Sequence, residues 1–278
     1  MNIDQIHAEA CAKGLDYYLD PKTGYRVFSA KALEGFGKCC GCSCRHCPYG
    51  HKNVPHHKRY GLRQDPWLLA HNTNRTACDV LSWSGGKDSF LALKALATEN
   101  KRDVTLMTTF DGRTGQVAHQ DVHIDDIKSQ AECLRINLML VPLYPQYDYI
   151  SRIELALQRV LMSRPVKRLA FGDLHLEHIR DWRETNFGPL LAKTGVSSHY
   201  PIWLKSYDLL EEAFFSSKAS ATLSAVTSPA LKDLCQVGDE FSRQLLARLP
   251  AEIDRFGENG EFHTLVKPPT GGWRQLAE

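Results

Sequence analysis

Two short stretches and two acidic turns of this 278-residue chain carry side chains that could do chemistry. The first is Ser84-Gly85-Gly86-Lys87-Asp88-Ser89, placed directly after the apolar run Val80–Trp83 and directly before a helical pattern. A glycine turn at a strand-to-helix junction points unpaired backbone N–H groups and the positive helix end at whatever docks there, which suits the oxyanions of a nucleotide. The two glycines let backbone approach the phosphates, and Lys87 is expected to add a mobile positive charge. The turn is not a Walker A loop. Leu81 stands where the first glycine should be, and Asp88 replaces the Ser/Thr after the lysine.

The second stretch is Cys39-Cys40-Gly41-Cys42-Ser43-Cys44-Arg45-His46-Cys47. Cys40, Cys44 and Cys47 have C-x3-C-x2-C spacing, whereas Cys39, Cys42, Cys44 and Cys47 have C-x2-C-x-C-x2-C spacing. Thiolates this close repel unless a metal neutralises them, and soft ligands select zinc or an iron–sulfur cluster. A zinc knob would staple a module too small for its own core, and a loop with every donor inside nine residues can also wrap a cluster. His46, His51, His56 and His57 are further donors, or part of a basic surface with Arg45, Lys52, Lys58 and Arg59. The acidic turns are Gly172-Asp173, followed by the charged run Glu177 to Glu184, and Gly257-Glu258-Asn259-Gly260-Glu261-Phe262-His263-Thr264. Their glycines and carboxylates fit a ligand edge; the plain alternatives are a solvated helix and a hairpin turn.

From Cys78 onward the pattern alternates between short strands and helices. Strands are predicted at Val80–Trp83, Val104–Phe110, Leu138–Val141, Arg168–Phe171 and Ala221–Val226. Helices are predicted where Ile150, Ile153, Leu157, Val160 and Leu161, and Ile127, Ala131 and Leu134, repeat at helical spacing. The expected fold is α/β: a doubly wound, mainly parallel sheet with a small N-terminal Cys-rich module. Ligands bind such sheets at the carboxyl ends of strands, where the Ser84–Ser89 turn falls. The expected domains are a metal-binding module over 1–57, a linker over 58–77 that packs loosely through Trp67-Leu68-Leu69, and a nucleotide-binding domain over 78–278.

Bulk properties narrow the class. The hydrophobic fraction of 43% and charged fraction of 24% are those of an ordinary globular protein, and the net charge of +2 offers no global argument for nucleic acid. No apolar run reaches the length of a membrane span, and Met1-Asn2-Ile3-Asp4-Gln5 lacks a signal pattern, so no membrane partner and a cytoplasmic location are expected. Five of nine cysteines lie in one run, unlike a disulfide framework spread along a secreted chain.

Ser84 to Ser89 match the S-G-G-x-D-S signature, and on it the chain resembles the PP-loop ATP pyrophosphatases (the adenine nucleotide α-hydrolase-like, HUP-like group), which cleave ATP between its α and β phosphates and adenylate a substrate oxygen. Gly172-Asp173 with Glu177, Arg180, Arg183 and Glu184, plus the Gly-Glu-Asn-Gly-Glu-Phe-His-Thr loop, look like the diphthine–ammonia ligase-like branch, over roughly residues 78–268. The resemblance implies that Ser84, Gly85, Gly86, Lys87 and Ser89 contact ATP phosphates and that Asp88 helps hold Mg2+. It implies that Asp173, Glu177, Glu258 and Glu261 position the acceptor or the amine. That branch usually carries Glu where this chain has His263, so diphthine itself is not implied as the acceptor. The cysteine run resembles a small bacterial domain of unknown function with a Cys-Cys-Gly-x-x-Cys-Arg-His-Cys-Pro-Tyr-Gly core, sharing Cys39, Cys40, Cys44 and Cys47, with Cys42 extra here.

Three functions are compatible with these features. One is an ATP-dependent ligase that adenylates a carboxylate or carbonyl of a small-molecule, protein or RNA acceptor and then displaces AMP with ammonia or an amine. The second resembles PP-loop tRNA thiolases, some of which use a three-cysteine cluster, and would let the basic stretch Lys52–Arg63 grip tRNA phosphates. The third is a non-catalytic nucleotide sensor whose metal module binds a partner.

Overall fold

The computed structural model describes residues 3–21, 23–55, 58, 65–99, 102–118, 120–145 and 147–277. The chain divides into two compact units, one covering residues up to 64 with Gly112–Thr114, the other covering the remainder. The first unit holds helix α1 (Ile3–Ala12), an antiparallel hairpin of β1 (Tyr17–Leu19) and β2 (Arg26–Phe28), the short helix α2 (Ala30–Glu34) and the cysteine loop. Its buried apolar side chains among the described residues are Ala10, Tyr18, Leu33, Cys39 and Val54. That is too few for a core able to hold the module unaided.

The second unit is built on a six-stranded sheet. Its strands are β3 (Trp67–Leu69), β4 (Cys78–Ser82), β5 (Asp103–Asp111), β8 (Asn137–Leu143), β9 (Val166–Ala170) and β10 (Ser197–His199). Between β5 and β8 lie the small hairpin of β6 (Gln116–Val117) and β7 (Val122–His123), then helix α4 (Ile124–Cys133). Helix α3 (Lys87–Glu99) follows β4, α5 (Tyr149–Ser163) follows β8, α6 (Glu177–Thr194) follows β9, and α7 (Tyr207–Phe215) follows β10.

The order β10-β9-β4-β5-β8-β3 is parallel throughout except for β3, which runs antiparallel to β8. The central strands β4, β5 and β8 are buried almost end to end, as continuous apolar runs covered on both faces must be. On α5 the inward positions are Ile153, Ala156, Leu157 and Val160, the stripe its spacing predicts. From β4 the chain winds through β5 to β8, then crosses back to place β9 on the other side of β4. The switch point is therefore at the carboxyl end of β4, where a crevice opens and the Ser84–Ser89 turn leaves the sheet.

Two expectations are corrected. Trp67-Leu68-Leu69 is not part of a loosely packed linker; it is the antiparallel edge strand β3, with Trp67 opposite Leu140. The strand expected at Ala221–Val226 is present as β11 (Ser220–Val226), outside the parallel sheet, pairing antiparallel with β12 (Phe262–Lys267) across a bulge at Leu223/Ala225. The reason is in its alternation: successive residues of β11 are exposed and buried in turn, the pattern of a one-faced antiparallel ribbon rather than of a central parallel strand. The short helix α8 (Arg243–Leu246) lies between these two strands in sequence.

Gly172, just past β9, sets how closely α3 approaches the sheet. A β-carbon there would fall 2.9 Å from the Asp88 carbonyl oxygen and 3.1 Å from the Ser89 nitrogen, both backbone atoms that cannot yield without moving the helix start. Gly172→Ala is expected to cost about 1–3 kcal/mol, the usual range for overpacking, measured as a lower urea midpoint with unchanged m-value.

Candidate functional site

The Ser84–Ser89 turn is held by groups from two elements, α4 and β12. Gly85 takes a φ of +84°, open to glycine at little cost, and its carbonyl accepts from the Gln130 side-chain amide (3.0 Å) and from the Val266 N–H (2.9 Å). Gln130, buried on α4, also donates to the Val266 carbonyl (2.6 Å) and accepts from the Trp83 indole N–H (2.8 Å). The Lys87 N–H donates to the Thr264 hydroxyl at 3.0 Å, so β12 is fastened to the first residue of α3. Within the turn the Ser89 hydroxyl donates to the Gly86 carbonyl, and the Ser84 hydroxyl accepts from the Gly86 N–H.

This turn forms one wall of a pocket of about 160 Å³. Ser84, Gly86, Lys87 and Asp88 line one side, Gly257, Glu258, Gly260, Phe262, His263 and Thr264 the other, with Gln120 from the β6–β7 connection. Residues 84–88 and 257–264, distant in sequence, thus enclose one space.

Lys87 is not the mobile cation expected. Its side chain is 3% exposed; the ammonium meets Asp88 Oδ2 at 2.9 Å and lies 5.3, 5.5 and 5.9 Å from the ring centres of Phe256, Phe262 and Phe241. Three aromatic faces and one carboxylate stabilise a charge in a place where water would otherwise have to. The cation is thereby held in one position at the pocket wall.

Asp88 has its other oxygen, Oδ1, buried without a hydrogen-bond partner. Burial pushes its carboxyl upward, against the Lys87 charge that holds it down. Glu258 is pushed up to about 8, first by burial and then by Asp88, with Lys87 opposing and Asp254 and Asp173 adding to the rise. The Lys87 ammonium is already matched by Asp88, so it does not by itself offset the charge of a polyphosphate. A divalent cation would, and the orphaned carboxylate oxygen beside the phosphate turn is a fitting ligand for one.

The other expected acceptor-side residues behave differently. Both oxygens of Asp173 accept from Arg183, at 2.5 and 2.9 Å, so this carboxylate is occupied in a bidentate pair. Glu177 is exposed on the first turn of α6 and is absent from the pocket lining. Glu261 turns back into its own loop, accepting from the Asp254 and Asn259 N–H groups and the Asn259 amide. Of the four, Glu258 alone faces the pocket. Residues not anticipated are Gln120, Gln130, Thr264 and Asp254, the last taking Tyr207 O–H at 2.6 Å while capping the Phe256 and Glu258 N–H groups.

In the cysteine module, Cys40 and Cys44 bring their sulfurs to 3.3 Å, and the Cys47 thiol is within hydrogen-bonding reach of Cys39. No three thiol, imidazole or carboxylate groups already meet at one point among the described residues. His46 stacks on His7 at 3.6 Å and bonds Tyr18; His51 is buried against the Cys44 carbonyl. These two imidazoles are built into the scaffold, neither a solvated basic surface nor donors to the sulfurs. His56, His57, Arg59 and Arg63 lie outside the described residues. No helix among the described residues is long and apolar enough to cross a membrane.

The glycine turn that opens α3 at the switch point, without Walker features, stands on a six-stranded, mainly parallel sheet, an arrangement suited to a nucleotide. Residues 77–186 match the diphthamide synthase N-terminal domain, and residues 6–53 match a family of unknown function. The first match contains the turn and Gln130; Glu258 and the rest of the 257–264 wall lie beyond the matched residues.

Glu258 makes the pocket pH-sensitive. Its folded-state value is raised above that of an unfolded glutamate, so the stability it contributes is full below about pH 4.3 and is lost as pH rises through about 8. The melting temperature of the ligand-free protein is expected to fall between pH 5 and 8.5 and to fall less in Glu258→Gln, by scanning fluorimetry; an unchanged slope in the variant would contradict this origin.

Proposed function

We propose that this protein is an ATP-dependent, AMP-forming ligase that joins ammonia or an amine to an acceptor carboxylate or carbonyl. The observation that carries the reading is Asp88, whose buried, unpartnered oxygen stands beside a phosphate turn and a fixed lysine. ATP would lie along Ser84–Ser89, with Mg2+ held by Asp88. When bound, Mg2+ supplies charge neutralisation on the phosphates and on the departing pyrophosphate.

The chain's own residues would do the rest by position and field. An acceptor oxygen attacks the α-phosphorus and the bond to pyrophosphate breaks; the nitrogen nucleophile then attacks the acyl carbon and the bond to AMP breaks. Lys87 presents its charge from a place already fixed by Asp88 and the phenylalanines, so no reorganisation is needed as charge develops. Glu258, poised near neutral pH, is suited to take the proton that the attacking nitrogen releases. His263 lines the acceptor side, and the glutamate-to-histidine difference there supports an acceptor other than diphthine. A sulfur nucleophile would use the same adenylate, but would need a cluster in the cysteine module.

Two measurements test the reading. A non-hydrolysable α,β-methylene ATP analogue is expected to bind at least about tenfold more tightly with Mg2+ than without, and Asp88→Asn to lose that difference, by calorimetry. With ammonium and a desalted cell extract as acceptor source, α-labelled ATP is expected to yield AMP. Accumulation of ADP instead would rule out the adenylation chemistry.

A further inference from the structure

The adenylation chemistry leaves the cysteine module unused, yet its sulfurs are arranged with care. The Cys40 and Cys44 sulfurs lie 3.3 Å apart, inside a run of five cysteines within nine residues. The Cys42 thiol donates to the Cys40 carbonyl at 3.7 Å. Ser43 and His51 hold φ values of +58° and +59°, which residues with side chains adopt only when the surroundings dictate it. The loop is pinned at both ends, by the Asn53 amide on the Cys39 carbonyl (2.5 Å) and by His51 on the Cys44 carbonyl (2.7 Å).

We propose that Cys39, Cys40, Cys44 and Cys47 form a four-thiolate zinc site that staples this module, with Cys42 outside the ligand set. With His46 and His51 engaged elsewhere, the donors among the described residues of this loop are sulfurs, and an all-sulfur set selects a thiophilic metal. The Cys40 and Cys44 sulfurs, 3.3 Å apart, stand near the spacing set by a single tetrahedral ion: Zn–S bonds of about 2.3 Å place sulfurs about 3.8 Å apart, whereas a cubane seats its thiolates on separate, more distant irons. Four thiolates on zinc carry two negative charges, and the segment from Lys38 to Lys52 holds Lys38, Arg45 and Lys52 and no carboxylate. Closing these thiols onto one ion couples binding to ordering of the loop, which suits a module whose buried apolar set among the described residues is five side chains.

The test is metal analysis of the full chain purified anaerobically. One zinc per chain and no visible absorption are expected; Cys42→Ser is expected to retain the metal, and Cys40→Ser and Cys44→Ser to lose most of it. Where the latter variants fail to fold, stripping zinc from the natural chain with a chelator and adding Co2+ is expected to give the thiolate charge-transfer and tetrahedral visible bands. Stoichiometric iron and sulfide would overturn the zinc assignment. Metal-free protein whose Cys40, Cys44 and Cys47 are freely alkylated, or a Cys40–Cys44 disulfide seen by mass spectrometry, would overturn the site itself. These readouts are independent of turnover, so failure here is separable from failure of the ligase reading.

Discussion

The carbonyl of Gly85 is the point on which the rest of the site depends. It accepts from Gln130 and from Val266 at once, so one peptide group ties α4 and β12 to the turn. A left-handed glycine has many alternatives in solution, and two donors on its carbonyl remove them. With that peptide fixed, Lys87 starts its helix against Thr264, and its side chain enters the aromatic box formed by residues after Asp239. Each of these contacts is buried, where losing one partner leaves the other unsatisfied. The turn is consequently rigid before any ligand arrives.

Rigidity and charge balance work together in the pocket. A fixed ammonium, a carboxylate with one open oxygen and a second carboxylate held partly protonated near neutral pH lie within one small volume. Burying these groups together costs desolvation, so stability is spent at the site and recovered elsewhere. The recovery is visible in the continuous core of β4, β5 and β8 and in the buried pairs Asp79–Arg168 and Asp103–Arg164.

Much of this was legible in the chain. Glycines at a strand–helix junction, and glycines around Glu258, are local signals that survive without knowledge of the fold. What was not legible was pairing over distance. Asp173 looked available because its partner Arg183 lies ten residues on, in a charged run that reads equally well as a solvated helix. Lys87 looked mobile because the phenylalanines that box it come more than 150 residues later. Gln130 gave no signal at all: a glutamine in an amphipathic helix is ordinarily a surface residue, and only the packing of α4 against the turn makes it a bracket. Trp67–Leu69 was too short for its pattern to distinguish a strand from a loose patch.

The pocket's two walls come from opposite ends of the α/β unit, one at Ser84–Asp88 and one at Gly257–Thr264. During synthesis the first wall emerges long before the second, and until β12 is in place Gly85 and Lys87 lack half of their anchors. A growing chain would thus display the signature turn without a pocket around it, and competence to hold a nucleotide would arrive only with the last strand.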